Sequence, residues 1–332
     1  MRIQKIISIL LTLVLLFSLT ACAAGGTNAG EPIVITDHAG RTVEITETPE
    51  TIVSGYYITT SLVIALGLED KLVGIEAKAA SRPIYSLAAP ELLELPNVGT
   101  AKEFNLEACI ELEPDLVILP LKLKGVAEQL GELDIPAICV NPENDTLLSE
   151  TVDMISAATG TEETAEKLLA YSDDALSALS DTLKDADKPS VYLAGNSSYL
   201  STAGAEMYQN TLLENAGCTN AAASVTDTYW AEISYEQLLE WNPEYIVIVP
   251  AASYTAEDIL NDEALSGLSA VQNGQVYAMP ADYESWDSPV PSAFMGSLWI
   301  ASQIHGDLYS EADYAETLKD FYETFYDFAP NA

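Results

Sequence analysis

Lys78, Arg82, Lys102, Lys122 and Lys124 lie close together in a chain with few cations: 13 Lys and Arg against 51 Asp and Glu, a formal net charge of −38. From 189 to 318 there is neither Lys nor Arg. Cations grouped in this way can accept an anion. The remote acidic field is screened beyond about 8 Å, so it does not override a local cluster at contact distance. Arg82 is the best suited, because its planar fork matches a carboxylate or a phosphate-like group. Lysines on solvated surface loops are the plainer alternative. The second half of the chain collects aromatic rings instead: Tyr199, Tyr208, Tyr229, Trp230, Tyr254, Tyr283 and Trp286, with Met207 nearby. Planar, π-rich ligands such as a catecholate, porphyrin or corrin favour such surfaces, although rings also serve to pack one lobe on another.

Other chemistry is poorly represented. The only histidines, His38 and His305, fall in an N-terminal hairpin and a C-terminal helix, so a free zinc or manganese site is not expected. No Gly-x-Gly-x-x-Gly, Walker or Gly-x-Ser-x-Gly motif is present. Neither an enzyme nor a resident cofactor is expected. So acidic a chain does not bind nucleic acid through its general field. Cys109, Cys139 and Cys218 are an odd set at wide spacing in apolar contexts, which reads as buried small hydrophobes rather than a disulfide framework.

The N-terminus reads as a secretory signal. Arg2 and Lys5 precede an apolar run over 6–19, too short to span a bilayer comfortably, and Leu19-Thr20-Ala21-Cys22 is a lipoprotein-type cleavage tetrad. Cleavage before Cys22 would leave its thiol to carry the lipid anchor on the extracytoplasmic face of the cell membrane. The expected organisation is a signal peptide over 1–21, a flexible tether over 22–31, an N-terminal α/β lobe over 32–145, a helical linker over 146–187 and a C-terminal α/β lobe over 188–332.

The elements behind the candidate residues follow from periodicity. Alternating apolar positions on either side of Asp37-His38-Ala39-Gly40 predict a hairpin over 33–45. Short β-branched runs predict strands at 51–55, 72–75, 116–119 and 137–140, with helices at 59–66, 106–112 and 126–133. Such alternation belongs to parallel sheets covered on both faces. Residues 146–184 are helical, with one break at Gly160-Thr161. Strands at 191–194, 245–249 and 276–279 resume the pattern, and one helical stretch is expected from 293 to 328. The halves also repeat: Glu107/Glu236, Glu111/Glu240 and Pro114/Pro243 are each 129 positions apart, with matching apolar positions between them. The fold class expected is two pseudo-symmetric α/β lobes with mainly parallel sheets, joined by a long helical linker.

Several segments in order carry a family resemblance: Thr36-Asp37-His38-Ala39-Gly40-Arg41-Thr42-Val43, Asn105-Leu106-Glu107 with Pro114-Asp115-Leu116-Val117, Gly274-Gln275-Val276-Tyr277, and Trp286-Asp287-Ser288-Pro289-Val290-Pro291. From about 32 to 328 the chain resembles the iron-siderophore and cobalamin substrate-binding proteins, the helical-linker class that serves ABC importers. The resemblance implies capture of a metal chelate (siderophore, haem or cobalamin-like) in a groove between lobes, and delivery to a permease dimer with its ATPase subunits. It implies that Glu107 and Glu236 dock one on each permease subunit; ordinary first-turn glutamates are the alternative. Loops after strands would wall the groove, so the expected ligand contacts are Tyr56, Tyr57, Arg82, Lys102 and Lys122 on one side and Tyr199, Trp230, Tyr283 and Trp286 on the other. Pro291-Ser292 stands where many siderophore binders have Pro-Arg, which weighs against a highly anionic ferric siderophore. A smaller anion such as an oxyanion, or a ligand-sensing or scaffold lipoprotein outside transport, remains open.

Overall fold

The computed structural model describes residues 32–226 and 229–330. The expected signal, tether and Cys22 lie outside the described residues.

The chain opens with the expected hairpin, β1 (Ile33–Thr36) antiparallel to β2 (Thr42–Ile45). Asp37 closes it by accepting the backbone N–H groups of Ala39 and Arg41, each at 2.9 Å. The other oxygen of Asp37 accepts from the Cys139 N–H at 3.0 Å, and Arg41 donates to the Ala137 carbonyl at 2.6 Å. His38 fastens the same corner: its Nδ1 accepts from the Asn141 N–H at 2.7 Å and its Nε2 lies 3.1 Å from Glu150. The hairpin is thereby pinned to the first lobe.

That lobe runs β3 (Ile52–Ser54), α1 (Tyr57–Ala65), β4 (Leu72–Ile75), α2 (Pro83–Ala88), α3 (Leu106–Glu111), β5 (Leu116–Pro120), α4 (Lys124–Gly131) and β6 (Ala137–Val140). Its four strands pair in the order β4-β3-β5-β6, all parallel. Ile52, Val53, Leu116, Val117, Ile118 and Ile138 are fully buried, as strands covered on both faces require. The linker is two helices, α5 (Asp145–Thr159) and α6 (Glu162–Leu183), separated at Gly160, whose φ of 72° is reached by glycine without a Cβ penalty.

The second lobe runs β7 (Ser190–Ala194), β8 (Ser201–Thr202), α7 (Tyr208–Asn215), β9 (Thr219–Asn220), β10 (Ala231–Glu232), α8 (Tyr235–Trp241), β11 (Tyr245–Ile248), α9 (Ala256–Leu260), α10 (Ser269–Gln272) and β12 (Val276–Ala278). Its parallel sheet has the order β12-β11-β7-β9, and β8 pairs with β10 as a short antiparallel ribbon. The single terminal stretch expected over 293–328 is instead two helices, α11 (Phe294–Ile304) and α12 (Glu311–Phe325). Ser310 and Asp313 form a reciprocal cap that starts α12 afresh, so the chain turns between His305 and Ser310.

The repeat seen in the sequence is a repeat of structure. The strand after each matched proline, β5 or β11, occupies an interior position of its sheet. Glu113 and Asn242, the residues before those prolines, are both held at positive φ, 48° and 42°. Helices α11 and α12 fill the joint between lobes, where Ile58, Leu62 and Tyr85 of the first lobe share one apolar cluster with Trp286, Phe321 and Tyr322.

Candidate functional site

In open parallel sheets, ligands bind beyond the carboxyl ends of the strands. The loops there meet across the lobes around a cavity of about 90 Å³, lined by Tyr57, Ser61, Arg82 and Tyr85 from one side and Ala251, Tyr283 and Glu284 from the other. The main chains touch at this point, the Ile84 N–H donating to the Tyr283 carbonyl at 3.2 Å.

Local sequence explains how Arg82 reaches it. After β4, Lys78 takes a left-handed conformation (φ 73°) and opens a single turn over Ala79–Ser81. Pro83 then starts α2, leaving Arg82 extended as the residue before it. Tyr57 begins α1 and packs edge-on against Tyr56, ring centroids 5.2 Å apart. The Arg82 guanidinium lies 4.0 Å over the Tyr57 ring centroid. The ring therefore orients the cation and does not neutralise it. Arg82 forms no ion pair among the described residues, and its Nε is buried without a hydrogen-bond partner. A buried donor left unmet costs about 1–3 kcal/mol, which an incoming acceptor would recover.

Among the described residues no nearby acid forms an ion pair with that charge. Glu284 is buried and accepts hydroxyls from Ser61, Ser292, Tyr326 (3.1 Å) and Tyr322 (3.5 Å); burial raises its pKa above the usual carboxylate range. Glu76 accepts from Thr60 at 2.6 Å and Tyr85 at 2.7 Å, and burial raises its pKa too. Asp287 is pushed up to about 6 by burial, against the opposing pull of its own backbone hydrogen bond and of Arg82. Burial disfavours charge on all three carboxyls, and among the described residues none forms an ion pair with Arg82, which leaves the guanidinium as the anion-accepting group of the cavity.

Comparison with known proteins agrees with the two-lobed geometry. The family model described as "Periplasmic binding protein" matches residues 52–283. The chain belongs to the periplasmic binding proteins. The chain is 25% identical over 320 residues to the molybdate-binding protein MolA of Haemophilus influenzae, across 88% of this chain and 90% of MolA. It is 26% identical to YvrC of Bacillus subtilis, described as an uncharacterised ABC transporter substrate-binding lipoprotein, across 84% and 88%. A cobalamin-binding protein of Halobacterium salinarum is 25% identical across 74% of this chain and 66% of that one. The structure of molybdate-bound MolA superposes with a TM-score of 0.80 at 23% identity, over 90% of this chain and 99% of MolA. This periplasmic binding protein is of the ABC substrate-binding kind and is not catalytic.

Of the expected ligand contacts, the binding protein brings Tyr57, Arg82 and Tyr283 to the cavity, with Tyr56 behind Tyr57. Lys102 and Lys122 are exposed on first-lobe loops and do not line it. Trp230 lies half-buried over Gly195, where a Cβ would meet the indole at 2.9 Å, so only glycine allows the approach. Tyr199 faces its own lobe, its hydroxyl 2.8 Å from Asp262 and 3.1 Å from Tyr235. Trp286 is fully buried, with Nε1 donating to Ser292 at 3.1 Å and Tyr322 at 3.3 Å. Ser292 thus joins Trp286, Tyr322 and Glu284 in one interior network. Sequence reasoning did not select Ser61, Tyr85 or Glu284. The signal for Glu284 was a lone acid within the aromatic Tyr283-Glu284-Ser285-Trp286 run.

Glu107 and Glu236 are both exposed in the first turns of α3 and α8. Their helices are capped alike, Asn105 accepting from Ala108 at 3.1 Å and Ser234 from Gln237 at 3.2 Å. Among the described residues no helix is long and apolar enough to cross a membrane.

Proposed function

We propose that this substrate-binding protein of an ABC importer captures a compact anion, of the size of a tetrahedral oxyanion, between Arg82 and the second-lobe loop carrying Tyr283. The observation that carries the reading is the unpaired guanidinium in a cavity of about 90 Å³ formed by both lobes. A tetrapyrrole needs a pocket several times larger, on the order of 300–1,000 Å³. The similarity to a molybdate-binding protein over most of both chains points the same way. A metal chelate, the reading drawn from the family resemblance, is favoured by the Tyr56–Tyr57 pair at the groove and by the half-buried Trp230. Calorimetric titration with molybdate, sulfate and phosphate beside a ferric siderophore and cobalamin separates the two. The expected result is saturable oxyanion binding that weakens about ten- to a hundredfold in Arg82→Ala, the scale of one lost charge-assisted hydrogen bond. Binding of a chelate alone, unaffected by that substitution, would overturn the oxyanion reading.

The protein's working context follows from the same reading. A crossover helix runs against the parallel strands that flank it, so α3 and α8 begin at the sheet edges that carry the groove. Glu107 and Glu236 then stand on one face on either side of it, suited to dock on the two permease subunits above their ATPases. At the N-terminus, Cys22 is the proposed lipid anchor, a reading supported by the similarity to the lipoprotein YvrC. A Cys22→Ala chain should leave the membrane fraction or persist as uncleaved precursor.

A further inference from the structure

A second cavity, of about 190 Å³, lies between the linker and the second lobe; Arg82 does not line it, although Val290 lines both cavities. The linker supplies Asp145 from the first turn of α5 and Asp173 from α6, both at the exposed mouth. The body carries buried Leu212 and the rings of Tyr208 and Phe294, with Ser149, Ser172 and Asn215 also in the lining. At the floor is Ser297 of α11, which is fully buried and whose Oγ has no hydrogen-bond partner. That is unusual in this molecule. Thr151, Thr159 and Ser302 are also buried on helices, and each donates back to a carbonyl three or four residues earlier, at 2.7 to 2.8 Å. Ser297 forgoes that bond, and its residue forms part of the cavity wall. The like charges at the mouth are also felt, because burial first and then Asp173 push the Asp145 carboxyl above its usual range.

We propose that this cavity is a site for a short linear aliphatic amine with a second polar end, a diamine or amino alcohol. Its ammonium would meet Asp145 and Asp173, its methylenes would lie along Tyr208, Leu212 and Phe294, and its far end would hydrogen-bond Ser297. No lysine or arginine lines the cavity, so nothing there competes for the two carboxylates. A cation held in this place touches α5 and α6 of the linker together with α7 and α11 of the second lobe.

The test is calorimetric titration of the detergent-solubilised full chain with 1,4-diaminobutane, n-butylammonium and butane-1,4-diol. Saturable one-site binding of the diamine is expected, with no binding of the diol. The Asp145→Asn/Asp173→Asn double variant should bind the diamine at least about tenfold more weakly. Ser297→Ala should reduce the diamine to the affinity of n-butylammonium, whereas Arg82→Ala should leave both unchanged. Absence of saturable binding would show a water-filled void and overturn the proposal. Equal binding by the double variant would do so as well, since it would reduce the effect to counterions of an acidic surface.

Discussion

At positions 129 residues apart, the lobes use the same local solutions. Glu113 and Asn242 turn the chain with positive φ, a proline follows, and an acidic residue ties the next strand to its neighbour. In the first lobe that residue is Asp115, accepting from the Glu50 and Thr51 N–H groups at 2.9 Å and the Thr51 hydroxyl at 3.0 Å; in the second it is Glu244, accepting from the Ser190 N–H at 3.0 Å. The loops at the groove differ completely. The first lobe offers an unpaired cation stacked on a ring, and the second an acid enclosed by hydroxyls and aromatic side chains. Backbone positions are thus shared where the lobes must fold and diverge where they must recognise. Residues common to both lobes belong to folding or to docking, and residues found in one lobe belong to the ligand or to the joint.

The largest effect should come from the shared surface. If Glu107 and Glu236 are equivalent docking points, replacing both with Ala should abolish transport in reconstituted membranes while leaving ligand affinity and the unfolding midpoint unchanged. Two fixed points set orientation as well as affinity, so the double variant should lose more than the single variants together. Normal uptake by the double variant would reduce the symmetry to a symmetry of folding.

The next effect separates a buried second-lobe ring from the first-lobe cation. Trp286→Ala should lower stability by about 3–5 kcal/mol, because a fully buried indole leaves a cavity and orphans its hydrogen-bond partners. Arg82→Ala should change stability by less than about 1 kcal/mol, since it removes a charge with no ion pair and an unmet buried donor. Denaturant midpoints of the two variants measure this contrast. Equal losses would mean that Arg82 is a structural residue and not a waiting ligand contact.

The same division explains what was legible beforehand. Strand alternation and the break at Gly160 gave the first-lobe sheet, three of the four strands of the second and the linker, because they follow from local backbone preferences and burial; β9, two residues long, offered no alternation to read. The split between α11 and α12 was also written in the chain, as Gly306-Asp307 and the Ser310-x-x-Asp313 cap between the apolar α11 and the amphipathic, acidic α12. The groove was legible only as a set of loops. Periodicity places a loop at the carboxyl edge of a sheet, but it does not say which way a loop side chain points. Tyr199 and Trp286 turn inward because Asp262, 63 residues on, and Ser292, six residues on, satisfy their polar atoms there.

The smallest effect is a difference in sign between two carboxylates. Hydrogen bonding from the Glu50 N–H, helped by Thr51, holds Asp115 below the usual Asp range, whereas burial pushes Asp287 up to about 6. A depressed folded-state pKa stabilises the fold above the unfolded value of about 3.9, and that contribution is lost as pH falls through the folded value. Asp115→Asn should therefore be less stable than the parent at neutral pH, with the deficit shrinking below about pH 4. A raised folded-state pKa acts in the opposite direction: its contribution is complete below about pH 3.9 and disappears as pH rises through 6. Relative to the parent, Asp287→Asn should thus gain stability between about pH 4 and pH 6 and stay level above that. Asparagine packs differently from aspartate at each site, so the slope of the difference against pH is the readout and its absolute value is not. Urea unfolding at several pH values from 3 to 7 gives both slopes. Parallel slopes would mean that the folded-state pKa of Asp287 is lowered, as pairing with Arg82 would lower it, and would remove the unpaired guanidinium on which the anion site depends.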